Sequence, residues 1–229
     1  MKISHLLYKV NNLNMAVEYF KELGFNVSFG KKNNPYNALI YFQDKTYIEI
    51  IENMNMSKPS EILLKLFGMK DFVKGLKKME SMDEGFIRFS FHVSDEMILD
   101  IKGFCEDEFK LKTCIVNTKR NDVMGNKLKC KCLFPYNSDL PFFNTNLIGC
   151  NKLWEIKHSN NIIGIESIKY SAEGLEYDFI NKFNGDNFIN INYGKGGLEG
   201  IEFKYDKKDD QSLVYEKGWK FRKPIPIKP

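Results

Sequence analysis

The sequence predicts an α+β fold built from a repeated β-α-β-β-β order, followed by a shorter third unit. Three observations carry this expectation. The opening stretch ISHLLYKV alternates as a half-buried strand does, its side chains turning to opposite faces at each step. Directly after it, Ala16, Tyr19, Phe20 and Leu23 recur at the three- and four-residue spacing of one helix face. From about residue 86 the same succession of strand, helix and three strands begins again, with little residue similarity but the same order.

Residues 1–56 form the first unit. Asn14 is placed to cap the helix MAVEYFKEL, and Gly24 to end it. FNVSFG is a short strand and GKKNNPYN a turn-rich loop; ALIYF and TYIEII are strands joined by the tight turn Gln43-Asp44-Lys45. Residues 57–85 differ in character. Ile62, Leu63, Leu66 and Phe67, then Phe72, Val73, Leu76 and Met79, mark two short amphipathic helices broken near Gly68, a connector expected to pack against the sheets. Residues 86–150 repeat the first order with FIRFSFHV (strand), SDEMILDIKGF (helix), and the strands FKLKTCIVNT, NKLKCKCLF and DLPFFNTN. Residues 151–229 hold a shorter version in IIGIESIKYS, GLEYDFINKF, FININY and LEGIEFKYD. The glycines of YGKGG lie between two strands rather than before a helix, so they read as a hairpin turn and not a phosphate loop. The end, WKFRKPIPIKP, reads as an extended edge segment or tail because its prolines cannot join an interior ladder.

Composition narrows the function classes. With 229 residues, 43% hydrophobic and 28% charged, the chain is ordinary for a globular protein and long enough for a continuous core. No apolar run approaches the ~20 residues that span a bilayer, and the N-terminus shows no leader pattern, so a cytoplasmic protein without membrane contact is expected. The net charge of +4 is spread among acids with no dense basic block, which argues against nucleic acid. The five cysteines (Cys105, Cys114, Cys130, Cys132, Cys150) are odd in number and lack CxxC spacing, so they read as reduced, inert thiols rather than disulfides or a zinc site.

A His-bearing first strand, a helix ending in ELGF (Glu22 to Phe25) and a closing strand reading YIEI resemble the vicinal oxygen chelate superfamily, the fold of glyoxalase I, extradiol dioxygenases and bleomycin-resistance proteins. The glyoxalase-like branch is the nearer likeness, through the order of HL…V, NAL…F…YIEI (Asn37 to Ile50), PFF (Pro141 to Phe143) and H-x-N followed by GI (His158 to Ile165). The likeness is strong over residues 3–52 and loose after 86. It implies curled mixed sheets around a cleft, helices outside, and metal ligands from the first and fourth strands of each unit. Carried over by position, His5 and Glu49 fall at two ligand sites. It also implies dimerisation through unit edges.

The strand pattern supports the same pairing independently. His5 shares a face with Ile3, Leu7 and Lys9, and Glu49 shares one with Tyr47 and Ile51, so both turn inward if the apolar faces cover the helix. An imidazole and a carboxylate converging in a cleft suit a divalent metal or an acid–base pair. The second unit breaks the pattern. With Val93 aligned on Val10, Arg88 falls where His5 stands, and Asn144 (Thr145 if the register slips) where Glu49 stands. A guanidinium does not ligate metal, so a full four-ligand set is not expected. Arg88, Ser90 and His92 instead form a donor stripe suited to a carboxylate, phosphate or phosphonate, with Tyr47 and Asn144 as further anchors.

Two function classes follow. One is an enzyme of lyase, isomerase or dioxygenase type acting on a small anionic or carbonyl-containing molecule, with His5 and Glu49 as metal ligands (Zn, Ni, Mn or Fe) or Glu49 as base. The other is a metal-free, non-catalytic binding protein of the bleomycin-resistance type, built on Arg88, Tyr47 and Asn144. Against both stands a bland alternative, in which Arg88 and Glu49 pair and neutralise each other. His92, near a strand end, and His158, in a turn, read as structural or solvent-facing residues.

Overall fold

The computed structural model describes residues 1–206 apart from 55, 150, 186 and 187. The expected element WKFRKPIPIKP and Cys150 therefore lie outside the described residues. The first unit comprises β1 (Ile3–Lys9), α1 (Leu13–Glu22), β2 (Ser28–Phe29), β3 (Asn37–Tyr41) and β4 (Tyr47–Ile51). Helix α1 begins two residues earlier than its apolar spacing suggests, because Asn12 rather than Asn14 caps it: Asn12 Oδ1 accepts the Met15 N–H at 3.0 Å. Gly24 ends it at φ +85°.

Two helices follow, α2 (Lys58–Leu66) and α3 (Lys70–Glu80), separated at Gly68 with φ +76°. They meet the expectation of a packed connector unequally. α3 buries Phe72, Val73 and Met79, with Phe72 against Phe134 and Tyr136. α2 buries no residue, and Leu66 and Phe67 are 79% and 74% exposed. The second unit is β5 (Gly85–His92), α4 (Ile98–Asp107), β6 (Thr113–Asn121), β7 (Lys127–Pro135) and β8 (Phe142–Asn144). A 3-10 turn (Asn151–Glu155) leads to β9 (Ile162–Ala172), α5 (Gly174–Phe183), β10 (Ile189–Tyr193) and β11 (Gly197–Tyr205).

Strands β1 to β8 form one mixed sheet in the order β2-β3-β4-β1-β5-β8-β7-β6. The first strand of each unit pairs in parallel with the last, β1 with β4 and β5 with β8, and the two units join through the antiparallel pair β1–β5. β3 and β6 stand six positions apart in this order, which in a flat sheet at ~4.8 Å per strand would separate them by about 29 Å. Yet Arg120 on β6 donates to the Tyr41 hydroxyl on β3 at 3.1 Å, and Leu128 on β7 packs with Leu39, Tyr41 and Tyr47. The sheet is therefore curled into an open half-barrel. The main core lies on its convex side, where Leu6, Tyr8, Phe89, Phe91 and Phe143 meet Phe20 of α1 and Phe179 and Phe183 of α5. That burial of large apolar side chains is the dominant stabilising term.

The third unit corrects one expectation. β10 pairs in parallel and β11 antiparallel with β9, which lies between them. YGKGG thus carries the chain across β9 instead of turning a hairpin, and Gly194 and Gly197 supply the positive φ this needs. His158 secures the approach to this unit. Its Nδ1 accepts the Asn26 N–H at 2.9 Å, so the proton sits on Nε2, which donates to the Tyr41 carbonyl at 3.0 Å. Its ring lies against Phe25 and Phe42. Burial lowers its pKa, which keeps it neutral. His158→Ala should cost about 2–3 kcal/mol in denaturant unfolding, by orphaning both backbone groups. A change below 0.5 kcal/mol would show that the imidazole holds nothing. Among the described residues, no helix is long and apolar enough to cross a membrane.

Candidate functional site

Strand register determines which residues line the concave face. Tyr41 stands opposite Tyr47, Tyr47 opposite His5, and His5 opposite Ser90. Ser90 stands opposite Phe142, Asn144 opposite Cys132, and Thr118 opposite Cys130. Directly paired residues share a face, and so do residues two apart on a strand, so Glu49, Asn144, Cys130, Cys132 and Arg120 all belong to this surface.

His5 is at its centre, 3% exposed. Its ring stacks on Tyr47 with centroids 4.2 Å apart and planes 9° apart, and Phe142 meets it edge-on at 5.1 Å. Nδ1 lies 2.9 Å from Ser90 Oγ, and the Ser90 hydroxyl donates to Asn144 Oδ1. Ser90 oxygen must therefore accept from His5 Nδ1–H, which fixes the tautomer and leaves the lone pair on Nε2. Nε2 faces Glu49 Oε2 at 4.0 Å, too long for a hydrogen bond. Burial drives the His5 pKa down to about 3, helped by the Arg120 charge and opposed by the Asn144 hydrogen bond. The imidazole is neutral at any physiological pH.

Glu49 is oriented by Asn37, whose Nδ2 donates to Oε1 at 2.6 Å. Gly30 leaves room for that amide, since a Cβ there would stand 2.0 Å from Asn37 Oδ1. Across the hollow, Arg120 is the facing cation. Its charge acts on His5, Tyr47 and Tyr36, and Glu49 and Tyr41 act on it in turn. Trp154 of the 3-10 turn closes the aromatic wall, edge-on to Tyr41 at 5.2 Å and near Tyr47 at 6.3 Å. Burial, then the Glu49 charge, raises the Tyr47 pKa well above the usual phenol range, so its hydroxyl stays protonated. Where β1 begins and β5 and β8 end, a cleft of about 670 Å³ opens, with Tyr47, His92, Asn144 and Trp154 in its lining.

Residues 3–176 match the family described as a glyoxalase-like domain. The chain belongs to this family. Among the solved structures similar to the chain is a hypothetical protein from Staphylococcus aureus. It is 15% identical, covers 86% of this chain and 88% of that one, and has a TM-score of 0.60. That likeness shows the fold. A Mn(II)-bound glyoxalase from Novosphingobium aromaticivorans is 10% identical over 88% of this chain and 64% of that one, with a TM-score of 0.48. The 2,3-dioxygenase LapB from Pseudomonas sp. KL28 is 12% identical over 88% and 74%, with a TM-score of 0.47. Comparison with curated proteins finds no match. The expected glyoxalase-like family is thereby shown, and the expected curled mixed sheet with outer helices is the fold observed.

Within this glyoxalase-like fold, the structure brings His5, Glu49, Tyr47, Ser90 and Asn144 together, leaves His92 at their edge opposite Asn144, and sets Arg88 apart. His92 sits at the rim, half-buried, with Nε2 2.8 Å from Asn146 Oδ1. Arg88 corrects the expectation of a cleft-facing guanidinium. It is 4% exposed, Nε donates to the Leu140 carbonyl at 2.7 Å, and Nη2 reaches the Asn137 carbonyl at 3.5 Å. Phe142 and Phe134 cover its guanidinium at 5.2 and 5.8 Å. It is neither paired with Glu49 nor the counterpart of His5. The equivalent ladders β1–β4 and β5–β8 match Tyr47 with Phe142 and Glu49 with Asn144, and therefore His5 with Ser90.

The donor set does not fit a resident ion of the family's kind. Among the described residues, no three His, Cys, Asp or Glu side chains cluster closely enough to share one. The two positions that would complete His5 and Glu49 are Ser90 and Asn144, whose oxygens are engaged with each other and with His5. Sequence reading missed Arg120 and took Cys130 for an inert thiol. Burial holds Cys105 and Cys114 at about 12 and 11, as expected of inert thiols. The hydrogen bond from Cys132 instead lowers Cys130 to about 7.

Proposed function

We propose that the concave hollow binds a small, flat, carbonyl-containing anion, with Arg120 holding its negative charge and Tyr41, Tyr47 and Trp154 flanking its body. Neutral His5 presents an acceptor lone pair at Nε2, suited to the hydroxyl of the ligand's enol form and not to its carbonyl oxygen. Glu49, held by Asn37 through one oxygen and presenting the other to the hollow, acts as base on a proton next to the carbonyl. The observation that supports this reading best is the placement of Arg120 opposite a carboxylate and a lone-pair imidazole inside an aromatic wall. His5, with its pKa near 3, is too weak a base for that step. The same feature favours a second reading, a non-catalytic binding protein, because the His5–Ser90–Asn144 chain is satisfied as it stands.

Pyruvate and phenylpyruvate serve as probes, with binding followed by calorimetry and proton abstraction by NMR exchange of the methyl or methylene protons in D2O. Arg120→Ala should weaken binding about 10- to 100-fold, the worth of a charge-assisted hydrogen bond. Glu49→Gln should stop exchange and leave binding in place. Binding without exchange in the parent protein would select the non-catalytic reading. Failure of both probes to bind, or full affinity in Arg120→Ala, would overturn the site.

A further inference from the structure

We infer that Cys130 and Cys132 form a two-thiolate clamp for a soft d10 cation such as Zn(II) or Cd(II), on the wall of the hollow beside Asn144. This goes beyond the anion-binding reading and does not depend on it. The two residues are i and i+2 on β7, so both side chains point to the concave face, and their sulfurs are 3.9 Å apart. Two thiolates at ~2.3 Å from a tetrahedral ion stand about 3.8 Å apart, so the pair needs almost no adjustment to chelate.

The His5–Glu49 pair fails the same test. A nitrogen and an oxygen at ~2.0–2.1 Å from a tetrahedral ion stand about 3.4 Å apart, against 4.0 Å observed. Donor softness points the same way, since thiolates select d10 ions over the harder cations that suit carboxylates.

The neighbourhood suits the role. Thr118 Oγ1 lies 2.8 Å from Cys130 Sγ and also donates to the Cys130 carbonyl at 3.1 Å, which sets the position of that sulfur against the strand. Cys130 is half-buried and Cys132 buried, so an incoming ion meets Cys130 first. A disulfide is the poorer use of the pair. Residues two apart on an extended strand have Cα atoms roughly 6.6–6.8 Å apart, at the upper limit for a bridge. Binding is an exchange without redox change: two S–H bonds break, two metal–sulfur bonds form, two protons leave to solvent, and the ion keeps its charge. Two thiolates neutralise the dication, so Arg120 meets a site with no net charge. Water or a ligand in the hollow fills the remaining positions.

The test titrates the reduced, metal-stripped full chain with Cd(II), following the ultraviolet charge-transfer absorption of cadmium–thiolate bonds and the 113Cd NMR shift. We expect one ion per chain with a shift diagnostic of two sulfur ligands. Cys130→Ser and Cys132→Ser should each weaken binding about 100-fold or more, while Cys114→Ser binds as the parent does. No one-to-one complex in the parent protein, a shift showing only nitrogen and oxygen ligands, or undiminished affinity in the Cys130→Ser/Cys132→Ser double variant would overturn the clamp. The NMR shift of the parent protein decides the matter even if a variant fails to fold.

Discussion

On acidification from pH 7 to pH 3 the protein is expected to lose up to about 5 kcal/mol of unfolding free energy through His5 alone, and His5→Gln should flatten that part of the curve. The imidazole takes up its proton near 6.5 in the unfolded chain but only near 3 in the folded one. Between these values the unfolded state binds more protons, so stability rises with pH across the window. The His5 contribution is therefore complete above about 6.5 and is lost progressively as pH falls toward 3. His158, also lowered by burial, adds in the same direction. So do carboxylates such as Glu61, which hydrogen bonds from Lys65 and Lys77 hold at about 2. Because several groups share the sign, the informative quantity is the difference between the parent protein and His5→Gln, measured by urea unfolding at steps from pH 8 to pH 3. Glutamine keeps a donor for Ser90 but cannot titrate. The variant should be about 1–2 kcal/mol less stable at pH 8, for lack of the Tyr47 stack, and the gap should close or invert by pH 4. Parallel curves throughout would mean that His5 titrates in the folded state as it does in the unfolded one, and an imidazole held neutral by burial would be lost with it.

The pairing of His5 with Glu49 was legible because it depends only on local alternation in β1 and β4, two strands that pair directly in parallel. The same rule placed Ser90 and Asn144 on the correct face. The identity of the counterpart to His5 was not legible. Aligning Val93 with Val10 assumes equal distances along both strands, but Val93 lies three residues beyond Ser90, whereas Val10 lies five beyond His5. The β1–β5 ladder also shifts register twice, so counting residues misplaces the partner, and Arg88 inherited a role that the ladder gives to Ser90. Arg120 was out of reach for a different reason. Its meeting with Tyr41 requires the whole sheet to curl until its second and eighth strands touch, a long-range consequence of twist that no short window contains. One local signal did exist: Thr118 and Arg120 alternate along β6 on the face of Cys114 and Val116, so a half-buried basic residue was already aligned with the thiol strand.

Arg88→Ala is expected to cost about 3–5 kcal/mol of stability, where Arg120→Ala costs about 1 kcal/mol or less. The two arginines share a sheet face and differ in what surrounds them. Arg88 is enclosed, its pKa pulled down by burial to about 10, which still leaves it charged at neutral pH. Its charge is met by the Leu140 and Asn137 carbonyls and by the faces of Phe134 and Phe142. Truncation removes donors from the 137–140 loop and opens a void beneath Phe142, the ring that also supports His5 edge-on. The loss should therefore reach the site indirectly, with ligand affinity falling only as the folded fraction falls. Arg88→Lys should recover little, because one ammonium cannot reproduce a guanidinium fork aimed at two carbonyls. Arg120 ends at a single phenol in a half-buried position, so its removal leaves the scaffold standing and takes away the counter-charge. Urea unfolding and calorimetry on the same pair of variants separate the two roles. If Arg88→Ala stayed within 1 kcal/mol of the parent protein and lost its ligand, while Arg120→Ala unfolded, the assignment of scaffold and anchor would have to be exchanged.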